Sequence, residues 1–226
     1  MSIRNWPESE RPREKLLKRG AKYLSDAELL AVFLRTGTQG RSAVELARDL
    51  LSHFGDISAI FSASQREFVA FPGLGGAKYA MLQAVLELVS RHMEASVAGR
   101  HIMDNAVAVK AFLRLHLGGE AREVFGLLLL DSQHRCIRYE SLFWGSISSA
   151  SVYPRELVRR VLDVGAAAVI AVHNHPSGDP TPSREDVALT EQLCRALRVI
   201  EVALLDHFVV THNEVVSFAE RGIMPK

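Results

Sequence analysis

"VHNHPSGDPTPSREDV", Val172–Val187, packs more groups able to hold a cation into a short stretch than any other part of the chain. It follows the apolar run "AAAVIA", Ala166–Ala171, which reads as a strand leaving a hydrophobic core. On a strand, His173 and His175 at i and i+2 share one side, so both imidazoles can reach one ion. The chain then turns through Pro176, Gly178, Asp179 and Pro180, and Ser183 opens a helix with Asp186 in its first turn. That return brings a carboxylate back toward the two rings, and a catalytic zinc takes three protein ligands of this kind, leaving one position open. An aspartate at a helix N-terminus is also held ionised by the helix amides. A second reading stays open on spacing alone. Ser183-x-x-Asp186 is itself a helix cap, a turn rich in Pro, Gly and Asp needs no metal, and Asp179 and Glu185 are rival carboxylates.

The surroundings narrow the choice of chemistry. The chain has 226 residues, 48% of them hydrophobic and 23% charged, the balance of an ordinary globular protein. No apolar run approaches the ~20 residues of a membrane helix. The start "MSIRNWPESERPREK" lacks a signal peptide's apolar segment, so a cytoplasmic location and no membrane partner are expected. Cys136 and Cys194 are far apart and form no C-x-x-C pair, so any metal here must use His and carboxylate. Residues 1–100 hold 14 Lys/Arg against 11 Asp/Glu, and the remainder 13 against 15. Most of the basic excess lies in the first 22 residues, where Arg4, Arg11, Arg13, Lys15, Lys18, Arg19 and Lys22 face Glu8, Glu10 and Glu14. Such an arm suits phosphate contact or a solvated helix face.

Two textures follow one another along the chain. Residues 12–95 read as short helices, because Ser25/Glu28, Ser42/Glu45 and Ser64/Glu67 each form a Ser-x-x-Glu capping box. A longer helix is expected over about 77–95, and a linker near 95–103. Beyond it, "NAVAVKAFLRLHL" reads as a helix, "VFGLLLLD", "CIRYESLFWG" and "SISSASV" as strands, and "PRELVRRVLDVG" as a helix with Pro154 in its first turn. "IEVALLDHFVV" and "EVVSFAERG" close the chain as strands, or as a strand and a turn. The expected architecture is therefore α/β, with an all-helical domain over 1–99 and a mixed sheet flanked by helices over 100–226.

His-x-His, seven residues, Ser, two residues, Asp resembles the JAMM (MPN+) metalloprotease motif, and His173, His175, Ser183 and Asp186 match it position by position. "PREL", "LLDHFVV" and "SFAERG", with "RPREKLLKRGA", "LSDAELLAVFLRTGT" and "FPGLGGAK", extend the likeness, so that the chain resembles the bacterial RadC family over nearly its whole length. The resemblance implies a JAMM/MPN-like hydrolase holding one zinc ion per chain on His173, His175 and Asp186, acting on a peptide or isopeptide bond and associated with DNA repair. It also points to the base among Glu120, Glu123, Glu140 and Glu156. "EVFGLLLL" looks like the E-x-x-G-L-L segment of JAMM proteins, which makes Glu123 the general base and Ser183 a residue that helps hold the water or donates to the oxyanion. Asp206 and His207 in "LLDHF" are candidates for orienting a ligand histidine, or a buried structural pair. His134 and His212 carry no supporting pattern.

"FPGLGGAK", Phe71–Lys78, is similar to a helix-hairpin-helix turn, in which Gly73, Gly75 and Gly76 let backbone amides approach a DNA phosphate beside Lys78. A tight interhelical turn, or a hairpin that contacts protein, fits the same residues. "LRTGTQGRSAVELA" is a degenerate second copy on this reading. DNA and a protein substrate or partner are thus the expected macromolecules, with oligomeric state left open. Two other functions fit the residues: a DNA-binding repair or recombination accessory with a structural metal, and a metal-dependent nuclease. Nucleases commonly cluster more carboxylates or bind two metals.

Overall fold

Each Ser-x-x-Glu signature starts a helix. In the computed structural model, which describes residues 3, 6–102, 106–145 and 152–225, the Ser25, Ser42 and Ser64 hydroxyls accept the backbone N–H three residues on. The glutamates there accept the serine N–H in return. The boxes open α2 (Asp26–Leu34), α3 (Ala43–Phe54) and α5 (Gln65–Ala70). With α1 (Pro12–Arg19), α4 (Ile57–Ser62) and the start of α6 (Gly76–Val97), they enclose a core that includes Leu34, Leu46, Leu50, Ile60 and Phe68.

The chain divides into two compact units, residues 1–87 and 88–226. This division falls inside α6, ahead of the expected 99/100. The physical reason is burial: Met93 and Val97 near the end of α6 pack into the core of the second unit. The expected linker is also tied down where it is described, with Ala98 bridged to Cys136 and His101 to Arg135.

The second unit contains α7 (Ala106–Leu117), β1 (Val124–Leu130), β2 (Cys136–Trp144), α8 (Pro154–Val164), β3 (Ala168–Asn174), α9 (Arg184–Arg198), β4 (Ala203–Val210) and β5 (Val215–Ser217). The strands form one mixed sheet in the order β2-β1-β3-β4-β5, with β3 and β4 parallel and the other pairs antiparallel. Every residue of β1 and β3 is buried, as expected of central strands covered on both faces. Side-chain alternation assigns the two faces. Leu128, Leu130, Ile170 and Val172 join Phe112 and Leu113 of α7, whereas Leu127, Leu129, Val169 and Ala171 join Leu157 of α8 and Leu193 of α9. His173 therefore falls on the α9 side.

The expected strand "SISSASV" lies, apart from Val152, outside the described residues. Among the described residues no helix is long and apolar enough to cross a membrane.

Gly126 explains a glycine in the middle of a buried strand. A Cβ there would stand 2.5 Å from the Glu140 carbonyl oxygen and 2.5 Å from the Tyr139 hydroxyl. Backbone on the neighbouring strand cannot give way cheaply, so Gly126→Ala is expected to destabilise the second unit by about 1–3 kcal/mol. Urea unfolding followed by circular dichroism checks this; an unchanged midpoint would show that β2 yields to the methyl group.

Candidate metal centre

β3 delivers His173 to the sheet end, and the His175 N–H extends the pairing by donating to the Val210 carbonyl at 2.9 Å. The following turn closes with the Gly178 N–H on the His175 carbonyl. α9 then begins with a fourth capping box, in which Asp186 N–H donates to Ser183 Oγ (3.0 Å) and Ser183 N–H donates to Asp186 Oδ2 (2.7 Å). The cap immobilises the Asp186 carboxylate against both rings, Oδ1 at 3.2 Å from His173 Nε2 and Oδ2 at 3.3 Å from His175 Nε2. Capping and convergence are thus one arrangement. One ligand atom from each of His173, His175 and Asp186 lies within 4.8 Å of the other two.

Hydrogen bonds set the tautomer of each ring. Thr190 Oγ1 donates its proton to the Asp186 carbonyl at 2.6 Å, so it can only accept from His207 Nδ1, also at 2.6 Å. His207 is fully buried, and that burial pushes its pKa well below the usual imidazole range. Neutral and protonated on Nδ1, it accepts at Nε2 from His173 Nδ1, 2.8 Å away. A neutral His173 therefore has its lone pair on Nε2. His175 is set independently, since its Nδ1 faces the Asp179 carbonyl at 2.7 Å and must donate. The two Nε2 atoms stand 2.9 Å apart. With the rings neutral, two ring lone pairs and two carboxylate oxygens converge there, an arrangement that could hold a cation. The residues present fit a metal ion held by two imidazoles and one carboxylate.

Electrostatics agree with that fit. Burial opposes ionisation of Asp186, but the two imidazoles and the Ser183 N–H outweigh it and hold the carboxyl far below its ordinary range. The position at the N-terminus of α9 acts in the same direction. His175 is pushed upward, first by Asp186 against the cost of burial, then by the Asp179 carbonyl, with a further contribution from Glu123.

Glu123 lies just before β1, whose pairing with β3 ends at Phe125–His173, two residues from Glu123 on one strand and from His175 on the other. The rival glutamates are elsewhere engaged or solvated: Glu140 pairs with Arg138 and Arg160, Glu156 with Arg155 and Arg159, and Glu120 is exposed. Of the rival carboxylates, Asp179 caps Thr181 and Glu185 is exposed. Ser183 spends its oxygen on Asp186 N–H.

The dipeptide Asp206-His207 splits. A register shift in the β3–β4 ladder skips Leu205, pairing Asp206 with Ile170 and His207 with Ala171. This bulge turns His207 onto the α9 face beside His173. Asp206 instead accepts hydrogen bonds from Ser217 Oγ and Ala219 N–H. Two participants escaped sequence reasoning. Thr190 lies one helical turn after Asp186, a spacing that could have flagged it. Asn174, buried between the two histidines, accepts from Val124 N–H (2.7 Å) and donates to the carbonyls of Glu120 (3.3 Å) and Arg122 (3.1 Å), clamping the segment that bears Glu123. Its partners are some 50 residues away, so no local pattern announces it.

In the helical unit, Gly73 has φ 96°, and a Cβ there would collide with the Thr38 side chain. Lys78 Nζ donates to the Gly73 carbonyl at 2.8 Å. Gly75 and Gly76 differ, because a Cβ on either would meet open space.

The relay through Thr190 carries a cost when broken. Thr190→Val keeps the shape but leaves His207 Nδ1–H buried without a partner, and is expected to destabilise the fold by about 1–3 kcal/mol. Equilibrium urea unfolding measures it; wild-type stability in the variant would mean that the ring finds another acceptor.

Comparison with known proteins supplies the family. Residues 103–223 match the model of the RadC-like JAB domain, and residues 3–80 match that of the UPF0758 N-terminal domain. UPF0758 proteins of Nitrosomonas eutropha and a Marinomonas species are each 54% identical over 99% of this chain and 100% of their own length. That of Tolumonas auensis is 54% identical over 98% of this chain and 99% of its own. The sheet, its flanking helices and the clustered His173, His175 and Asp186 are those of a JAMM-like metallohydrolase fold, and the chain belongs to the UPF0758 family of proteins with a RadC-like JAB domain.

Proposed function

We propose that the second unit is a zinc-dependent hydrolase of peptide or isopeptide bonds, holding one Zn²⁺ on His173, His175 and Asp186. The observation that carries this reading is the convergence of four acceptor atoms with both histidine tautomers preset. When bound, zinc supplies Lewis acidity and makes water nucleophilic near neutral pH. Glu123, on the segment that the Asn174 side chain ties to the end of β3, takes the proton of the attacking water and returns one to the departing nitrogen. Ser183 still has a hydroxyl proton to give, since its oxygen is occupied only as an acceptor. It donates toward the oxygen on which charge develops. The small carboxylate count favours this reading over a nuclease: among the described residues one group of three could hold an ion, and it contains a single carboxylate.

We further propose that the helical unit binds DNA through the Gly73–Lys78 turn, in keeping with a role in DNA repair and a cytoplasmic location. Gly75 and Gly76 favour this over a purely structural turn. Glycine weakens a helix, and among the described residues nothing lies within 4 Å of a Cβ placed on either of them. An approaching phosphate would use it.

Elemental analysis is expected to find one zinc per chain, lost in His173→Ala and Asp186→Ala. Glu123→Gln is expected to keep the zinc and to lower kcat by about 10²–10⁴-fold. With the substrate open, the assay is a search for new amine termini in cell extract treated with wild-type protein and not with Glu123→Gln. Full zinc with identical cleavage by both proteins would remove Glu123 as the base, and a wild type that takes up no zinc would remove the metal centre.

For the helical unit, Gly75→Ala and Gly76→Ala are expected to leave stability unchanged or raised while weakening duplex DNA in a fluorescence anisotropy titration. Binding that ignores both the variants and the salt concentration would assign the turn to a protein partner.

A further inference from the structure

The helical unit also contains a cavity of about 690 Å³, a size suited to a small ligand. Arg11, Arg13, Arg35 and Arg41 line it, against one acid, Glu14. Two of these cations are already engaged. Arg11 donates to the Trp6 carbonyl and faces Glu14, and Arg41 pairs with Asp49 at 2.8 Å. The guanidinium groups of Arg13, on α1, and Arg35, at the end of α2, have no hydrogen bond or ion pair among the described residues.

Arg35 is held in an unfavourable backbone conformation. It ends α2 at φ 65° and ψ −46°, and the Thr36 N–H closes on the Leu34 carbonyl at 2.7 Å, a γ-turn of the rare positive-φ kind. Helices commonly end at positive φ on glycine, which lacks the Cβ that makes the conformation costly. Here an arginine occupies the position; its backbone N–H caps the helix on the Ala31 carbonyl, and its side chain has no partner among the described residues. The facing wall is rigid: Thr38 and Arg41 exchange backbone hydrogen bonds at 3.1 and 3.0 Å, and a Cβ on Gly37 would collide with the Arg41 carbonyl. Strain retained in an unpartnered cation at the rim of a preformed cavity is the pattern of a binding residue.

From this we infer that the arginine-lined cavity binds a phosphate-bearing ligand of nucleotide size, either a free nucleotide or one nucleotide of a nucleic-acid strand. Guanidinium forks match phosphate oxygens bidentately, and Arg13 and Arg35 supply them from two separate elements. A single carboxylate is satisfied by one such fork. An excess of cations over one acid calls for a ligand with more than one negative charge, and the volume leaves room for a sugar and base beside the phosphate. The inference uses none of the metal ligands and none of the residues of the Gly73–Lys78 turn, so it stands or falls separately from the proposals above.

Isothermal titration calorimetry on the full-length protein tests it with four probes: inorganic phosphate, adenosine monophosphate, a short single-stranded oligonucleotide and an oligoglutamate peptide. Adenosine monophosphate or the oligonucleotide is expected to bind, and Arg13→Ala and Arg35→Gly are each expected to weaken that binding about tenfold or more. Binding of the mononucleotide identifies a free nucleotide as the ligand, and binding of the oligonucleotide alone identifies a strand. Arg35→Gly is also expected to raise Tm, by roughly 4 °C, because it relieves the turn. The inference is overturned if neither nucleotide probe binds, if oligoglutamate binds as well as they do, or if both variants bind like wild type. A fall in Tm for Arg35→Gly would overturn it too, by showing that the arginine serves the fold.

Discussion

Thr190 has one hydroxyl proton, and the backbone carbonyl of Asp186 takes it. From that single donation follows the protonation of His207, the direction of the bond between His207 and His173, and the exposure of the His173 Nε2 lone pair toward Asp186. The relay starts and ends on the same residue. Asp186 supplies the carbonyl that fixes the relay and the carboxylate toward which the relay points the ring. Burial makes it robust, because His173, Thr190 and His207 are fully inaccessible and any break would strand a polar atom away from water.

The fold serves this relay through alternation and one irregularity. β3 must run into the core for His173 to be dry, and it must be central for both faces to be covered, which the order β2-β1-β3-β4-β5 provides. The β4 bulge then moves His207 to the face where His173 lies. On the opposite face of the same strand end, Asn174 reaches back to the segment before β1, so that one His-Asn-His triplet holds two rings on one side and steadies the segment bearing Glu123. A residue between two ligands is usually treated as a spacer. Here it couples the β3 terminus to the acid the proposed reaction needs.

Local patterns were legible in the sequence and nonlocal ones were not. Capping boxes at Ser25, Ser42, Ser64 and Ser183 act over three residues, so their spacing states the whole interaction. His173, His175 and Asp186 were legible because one strand end and the following helix bring them together. Glu123 was proposed only through a family likeness, since it lies some 50 residues from the histidines in sequence. The choice between Asp206 and His207 was beyond sequence reasoning, because a bulge is decided by how two strands pack. The division inside α6 is nonlocal in the same way: α6 is one helix by its periodicity, yet residues near its two ends bury in different cores.

The central claim is that the protein presets both histidine lone pairs before any ion arrives. Two-bond ¹H–¹⁵N correlation spectra of the imidazoles in metal-free protein read this directly. His173, His175 and His207 are expected to carry their protons on Nδ1, and added Zn²⁺ is expected to shift Nε2 of His173 and His175 while leaving the His207 tautomer unchanged. A proton on Nε2 of neutral His173 or His175, or a His207 ring that exchanges tautomers when zinc binds, would contradict the account.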